Sequence, residues 1–201
     1  MGVRMKRFCI GVAVLSLLVS VHTIAAQQAE GPTKSDVPAG KASTQNLAAK
    51  DFTQEPFVVE QYHTTARFEN DGTSQRDLAV RIRVQSDSGV QQLGELVFGY
   101  NSRNEQMEVR SVRVHKLDGT VVHAAADSIK EMTASVARDA PMYTDYKEKH
   151  ITVPSLHAGD TLEYEIVTRI QSSLAPGEFW FAYNFIEDSI VLDERLEIDV
   201  P

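Results

Sequence analysis

From residue 78 onward, apolar side chains recur at every second position, and that period constrains the fold more than any other feature. In "LAVRIRV", Leu78, Val80, Ile82 and Val84 face one way while Arg81 and Arg83 face the other. "TLEYEIVTRI" sets Leu162, Tyr164, Ile166 and Ile170 against Glu163, Glu165 and Arg169. "RLEIDV" sets Leu196, Ile198 and Val200 against Arg195, Glu197 and Asp199. Successive strand side chains point to opposite faces, so this pattern predicts antiparallel strands with one dry and one wet face. "FWFAYNF" places Phe179, Phe181, Tyr183 and Phe185 on one aromatic face. Burial of rings this large is expected to anchor the core.

Turn chemistry agrees with the period. Asp71-Gly72 and Asp118-Gly119 are hairpin signals, with glycine supplying the positive φ that a two-residue turn requires. "LHAGDT" and "LAPGEF" add two further turns. In "MEVRSVRV" the apolar phase slips between Val109 and Val112, which predicts a bulge near Arg110-Ser111. "HITVP" reads as a strand stopped by Pro154, after which "SLHAGD" reverses the chain into the strand that starts at Thr161. Residues 128–138 read two ways. Ser128 and Glu131 have capping-box spacing for a short helix, and the same segment also suits a strand running into a loop. The whole predicts an all-β, antiparallel sandwich-like domain over residues 52–201.

The N-terminus differs in kind. Arg4, Lys6 and Arg7 precede an apolar run that ends in the small residues of "HTIAAQQ". That order predicts a secretory signal over residues 1–25, cut after Ala25, and an exported protein that is periplasmic, surface-bound or secreted. Residues 26–51, rich in Ala, Ser, Thr, Gln, Gly and Pro, have no aromatic residue and read as a flexible linker. The whole chain has a formal charge of −8, and loss of the three basic signal residues makes the remainder more acidic still. An acidic surface repels phosphate backbones, so no nucleic-acid partner is expected. With the signal removed, no membrane attachment is expected either. Cys9, the single cysteine, lies within the signal, so the mature domain offers no disulfide, thiol nucleophile or Cys-ligated metal.

Catalytic candidates assemble poorly. His115 and His123 resemble a metal pair, but a two-residue Asp118-Gly119 turn would pair His115 with Val122 and Val114 with His123, putting the histidines on opposite faces. No H-E-x-x-H set, G-x-S-x-G elbow or phosphate-cradling glycine run is present. Glu163/Glu165 and Glu197/Asp199 sit on polar strand faces, where Arg81, Arg83 and Arg169 are expected to partner solvated carboxylates. No catalytic residue, cofactor or metal is therefore assigned. A stand-alone hydrolase would need a site drawn from distant strands, with Asp145 or His150 at its centre. Tyr143, Asp145 and Tyr146, on the approach to a strand, are the candidate ligand-binding residues for a cell-wall carbohydrate or peptide. The structural alternative has those tyrosines clamping a crossover onto the sandwich.

The order of "VHKLDGTVV", "APMYTDYKEKHITVPSLHAGDTLEYEIV" and "FWFAYNFIEDSIVLDERLEIDVP" resembles an uncharacterised bacterial domain family. In exported proteins that family sits N-terminal to transglutaminase-like (papain-type) domains. The likeness covers roughly residues 57–201. It implies a non-catalytic accessory domain whose partner is a transglutaminase-like domain in the same polypeptide. Family members generally continue past the position of Pro201, so the resemblance implies either the N-terminal part of a larger protein or a stand-alone variant. None of the cysteine, histidine and aspartate of the partner domain has a counterpart here, and none is carried over.

Overall fold

A computed structural model describes residues 52–136, 145–173, 175 and 177–201. The predicted signal and linker lie outside the described residues. Among the described residues nine strands form two sheets: β1 (Phe57–Phe68), β2 (Ser74–Val84), β3 (Glu95–Asn101), β4 (Glu105–His115), β5 (Val121–His123), β6 (Ile129–Thr133), β7 (Tyr146–Thr152), β8 (Thr161–Ile170) and β9 (Glu194–Asp199). The larger sheet has the order β5-β4-β8-β2-β1-β9 and the smaller β3-β7-β6. All pairings are antiparallel except β1 with β9. The sandwich predicted from alternation is therefore present, but "RLEIDV" joins it in parallel.

The apolar phase of the strands becomes the core. Val80, Ile82, Val112, Val114, Leu162, Tyr164 and Ile166 of the larger sheet pack with Leu96, Tyr100 and Ile151 of the smaller. Phe98 meets Tyr164 edge-on between the layers, with ring centroids 5.6 Å apart. The opposite phase of the larger sheet is a lattice of ion pairs. Glu60, bulged out of the β1–β2 register, accepts from Arg81 and Arg83, each at 3.0 Å. Glu163 accepts from Arg113 at 2.7 Å and lies 2.8 Å from His115 Nε2. Asp77 takes Arg67 and Arg110, both at 3.1 Å. The expected basic partnering of Glu163 and Glu165 holds, chiefly through Arg113.

Both Asp-Gly hairpins form, with one residue more in the loop than the dipeptide implied. Lys116 N–H donates to Thr120 O and Gly119 N–H to Lys116 O, so Leu117-Asp118-Gly119 is a three-residue loop with Gly119 at φ +85°. Glu69, Thr73 and Gly72 repeat the pattern, with Gly72 at φ +84°. In each loop the aspartate carboxylate accepts from the N–H (2.9 Å) and hydroxyl (2.7 Å) of the threonine two residues on. The extra residue shifts the register by one. His115 pairs with Val121 and Arg113 with His123, so the two histidines share a face, contrary to the sequence expectation.

Other elements refine the reading. The β4 bulge falls between Val109 and Ser111, where the phase slip predicted it. Within 128–138, residues Ile129–Thr133 are strand β6, preceded by a 3₁₀ turn over Ala126–Ser128. The Ser128 hydroxyl donates back to Ala125 O instead of capping a helix, and residues 137 and 138 lie outside the described residues. β7 and β8 belong to different sheets, so "SLHAGD" carries the chain from one layer to the other. Helix α1 (Asp87–Leu93), capped by Ser86, was not anticipated. Its signal was Ser86-Asp87 at the end of an apolar strand.

Candidate functional site

The aromatic stretch 179–185 is not a ladder strand, and it does not anchor the core as expected. It runs across the inward face of the larger sheet. Three strands cannot cover six, and the row Ala66–Arg76–Thr168 lies on the inward phase, two positions beyond Thr64–Leu78–Ile166. The rings supply the missing cover. Phe179 stacks on Phe68 at 4.3 Å, and Phe181 meets the same ring edge-on at 5.9 Å. Phe181 leads to Tyr183 at 6.3 Å, and Tyr183 to Phe185 at 5.1 Å. The alternation thus does put these four rings on one line, and Ala66 and Phe68 are buried.

Two carboxylates pin the segment. Tyr183 Oη donates to Glu194 Oε1 at 2.7 Å, and Ile186 N–H donates to Glu194 Oε2 at 3.1 Å. Burial first, and then this bond, push the Tyr183 phenol up to about 12. His63 Nε2 lies 2.7 Å from Asp193 Oδ2, joining the lead into β9 to β1. Backbone bonds from Val59 to Ile190, Leu192 to Val59 and Tyr62 to Asp193 complete the attachment.

The segment also leaves apolar surface in water. Trp180, out of phase with the four rings, is 77% exposed, and Phe185 at the end of the line is 61% exposed. Five of the eleven exposed large hydrophobic residues among those described lie between Phe179 and Val200, so the exposure is concentrated rather than scattered. Trp180 stands between two hollows. One, about 140 Å³, is floored by Ala66 and Thr168 and flanked by Phe181 and Arg76. The other, about 210 Å³, is lined by Phe68, Phe179 and Asn104. Asn104 Oδ1 is buried there without a hydrogen-bond partner.

Arg76 is close enough for its charge to act on the Tyr62 phenol, but it has no carboxylate partner among the described residues. Six outward-facing arginines of the larger sheet, Arg67, Arg81, Arg83, Arg110, Arg113 and Arg169, each meet a carboxylate within 3.4 Å, and Arg195 approaches Asp193 at 4.0 Å. Arg76 makes no hydrogen bond or ion pair with any described residue. Neither Arg76 nor Trp180 was singled out in the sequence, yet both break phase. Arg76 occupies the apolar register of Leu78, Val80 and Ile82, and Trp180 the polar register of its segment.

The residues favoured by the sequence are engaged structurally. Tyr143 lies outside the described residues. Asp145 accepts from the Ser102 N–H and hydroxyl through its carbonyl, each at 2.8 Å, and its carboxylate lies 3.2 Å from Arg103. Tyr146 opens β7 opposite Asn101 and accepts from Ala134 N–H. His150 is bracketed by Glu95 at 3.0 Å and Glu148 at 3.1 Å, and chiefly the Glu148 bond raises its pKa. His157 meets Lys116 at 2.8 Å. Among the described residues, no group of three or more His, Cys, Asp and Glu side chains is arranged to hold a metal ion. No helix among them is long and apolar enough to cross a membrane.

The family model "Domain of Unknown Function with solved-structure structure (DUF3857)" matches residues 70–201, including every hairpin after β1 and the whole aromatic stripe. The chain belongs to the DUF3857 family. No curated protein matches it. Among solved structures, the domain is similar to a "putative protease" from Parabacteroides distasonis ATCC 8503, at 18% identity and TM-score 0.56. That match covers 59% of this chain and 24% of the other, so the DUF3857 chain spans about a quarter of the P. distasonis length. The two share the fold. Weaker likenesses link it to the CBM3a-L domain of scaffoldin cipA from Clostridium thermocellum (12% identity, TM-score 0.35, 66% and 81% covered). Another links it to an M1 zinc metallopeptidase from Deinococcus radiodurans (12%, 0.29, 61% and 22%).

Proposed function

We propose that this DUF3857 domain is a non-catalytic interaction module of an exported protein. Its docking face is the stripe Phe179–Phe185 together with β9. The carrying observation is the concentration of exposed apolar side chains around Trp180 on a segment that is itself pinned to the sandwich. A cluster of exposed large apolar side chains on a fixed segment suits a surface that another protein covers. The edge strand supports the same reading. Among the described residues β9 pairs only with β1, in parallel, and parallel pairs are normally buried. Asp145, His115 and His150 each lie in an ion pair, with Arg103, Glu163 and Glu95.

The partner is a transglutaminase-like domain of the same polypeptide, which rests on the family resemblance and not on the geometry. The P. distasonis structure, in which the matching part is 24% of the chain, is in keeping with a module built into a longer protein. Hydroxyl-radical labelling read by mass spectrometry tests the docking face residue by residue. Trp180 and Phe185 should oxidise readily in the 201-residue chain and be protected several-fold in the native protein purified from its own cells. Equal labelling in both preparations would sink the reading.

A further inference from the structure

The hollow beside Trp180 has a chemistry more specific than apolar docking. We infer that Arg76 and Trp180 form a single-side-chain socket for an aspartate or glutamate carried, next to an apolar residue, by the docking partner. This rests on the docking-face reading and names the partner chemistry at that face.

The first support is Arg76 itself. It lies in the inward row between Ala66 and Thr168, beyond the reach of the smaller sheet, and its guanidinium has no carboxylate among the described residues. Glu105 also lines the hollow, but its Oε2 accepts from Asn101 N–H at 2.9 Å and closes the β3–β4 turn. An arginine fork is matched to a carboxylate, and six of its neighbours in this sheet already satisfy that match. The second support is size. Small-molecule sites are usually about 300–1,000 Å³. At about 140 Å³ the hollow is the size of one side chain. The third is the wall. Trp180 and Phe181 flank the socket, so a carboxylate reaching Arg76 brings its neighbouring side chain against the exposed Trp180 ring and the half-buried Phe181. Tryptophan and arginine are both enriched at interface hot spots.

Trp180 is the only tryptophan in the chain, so its indole N–H gives a single resonance that reports on the socket. The 201-residue protein, labelled with ¹⁵N, would be titrated with the blocked tripeptides acetyl-Phe-Glu-Leu-amide and acetyl-Phe-Gln-Leu-amide. The glutamate peptide should shift the indole resonance saturably and bind at least about tenfold more tightly, the margin expected for a charge-assisted hydrogen bond. Arg76→Gln should erase that preference, and Arg76→Lys, which keeps the charge but loses the fork, should retain part of it. Because Arg76 is exposed and makes no hydrogen bond or ion pair with the described residues, all three proteins should melt alike. Equal response to both peptides, no response to either, or a preference that survives Arg76→Gln would overturn the socket. Protection of Trp180 in the native protein alongside such a failure would leave docking intact without a carboxylate. Absence of protection would remove the docking face itself.

Discussion

Tyr183 and Glu194, eleven residues apart, close the aromatic segment onto β9 with one hydroxyl-to-carboxylate bond of 2.7 Å. The same carboxylate also takes Ile186 N–H at 3.1 Å, so Glu194 holds two points of a segment that has no ladder of its own. Tyr183→Phe should cost about 1–2 kcal/mol, a hydrogen bond to a charged acceptor discounted for partial exposure. Glu194→Ala, which releases both donors, should cost more. Thermal melts order the two variants, and amide exchange at Ile186 should accelerate mainly in Glu194→Ala. If exchange there is unchanged, the segment is held by its rings alone.

Two glycines with nearly the same φ separate a turn requirement from a packing requirement. Gly119 sits at +85° with nothing within 4 Å of where a Cβ would be. Gly119→Ala should therefore cost only the left-handed strain, about 1–2 kcal/mol. Gly72 sits at +84°, but a Cβ there would lie 2.5 Å from Glu178 O and 2.6 Å from Ser173 Oγ. Gly72→Ala should cost about 1–3 kcal/mol more, through crowding against backbone that leads into the aromatic segment. Denaturant titration of both variants checks the ordering. Equal losses would mean that the β1–β2 turn and residue 178 move independently.

Alternation made most of the sandwich legible because period two is a direct consequence of strand geometry, and the Arg110-Ser111 slip located a bulge to the residue. Local pattern could not say that β7 and β8 lie in different layers, or that β9 joins in parallel, since both depend on contacts far apart in sequence. The hairpin register failed for a smaller reason. Asp-Gly suits both a two-residue turn and the last two positions of a three-residue loop, and the Asp118 bonds to Thr120 favour the second. "FWFAYNF" misled because alternating rings were read as core when they cap one end of it, with Trp180 left outside. The site was readable only as two residues out of phase, Arg76 among aliphatics and Trp180 against its ring neighbours.

Acid should loosen the smaller sheet at one identifiable group. Glu131 accepts from the Tyr100 hydroxyl at 2.6 Å and meets Lys147 at 3.0 Å and Lys149 at 3.2 Å. Those contacts, the Tyr100 bond first, lower its pKa from 4.5 to about 2. A depressed carboxylate stabilises the fold above its unfolded value, and that contribution disappears as pH falls from about 4.5 to about 2. Melting temperature should drop across this window in the parent and less steeply in Glu131→Gln. Parallel pH profiles would show that the group is not coupled to folding.

Lys116 and Asp160 test whether the link between the two sheets depends on a buried charge. Asp160 is 3% exposed, and its Oδ2 takes Lys116 Nζ at 2.5 Å and His157 N–H at 2.8 Å. Lys116 Nζ also donates to Ser155 O at 2.6 Å, in the loop that carries the chain from β7 to β8. Removing one partner leaves a desolvated charge, so Lys116→Met should cost about 3–5 kcal/mol. Adding Asp160→Asn should recover part of that loss, because an amide still accepts from His157 N–H and carries no charge to strand. A double-mutant cycle by urea titration gives the coupling. Strictly additive losses would show that the lysine acts through the Ser155 carbonyl and not through Asp160.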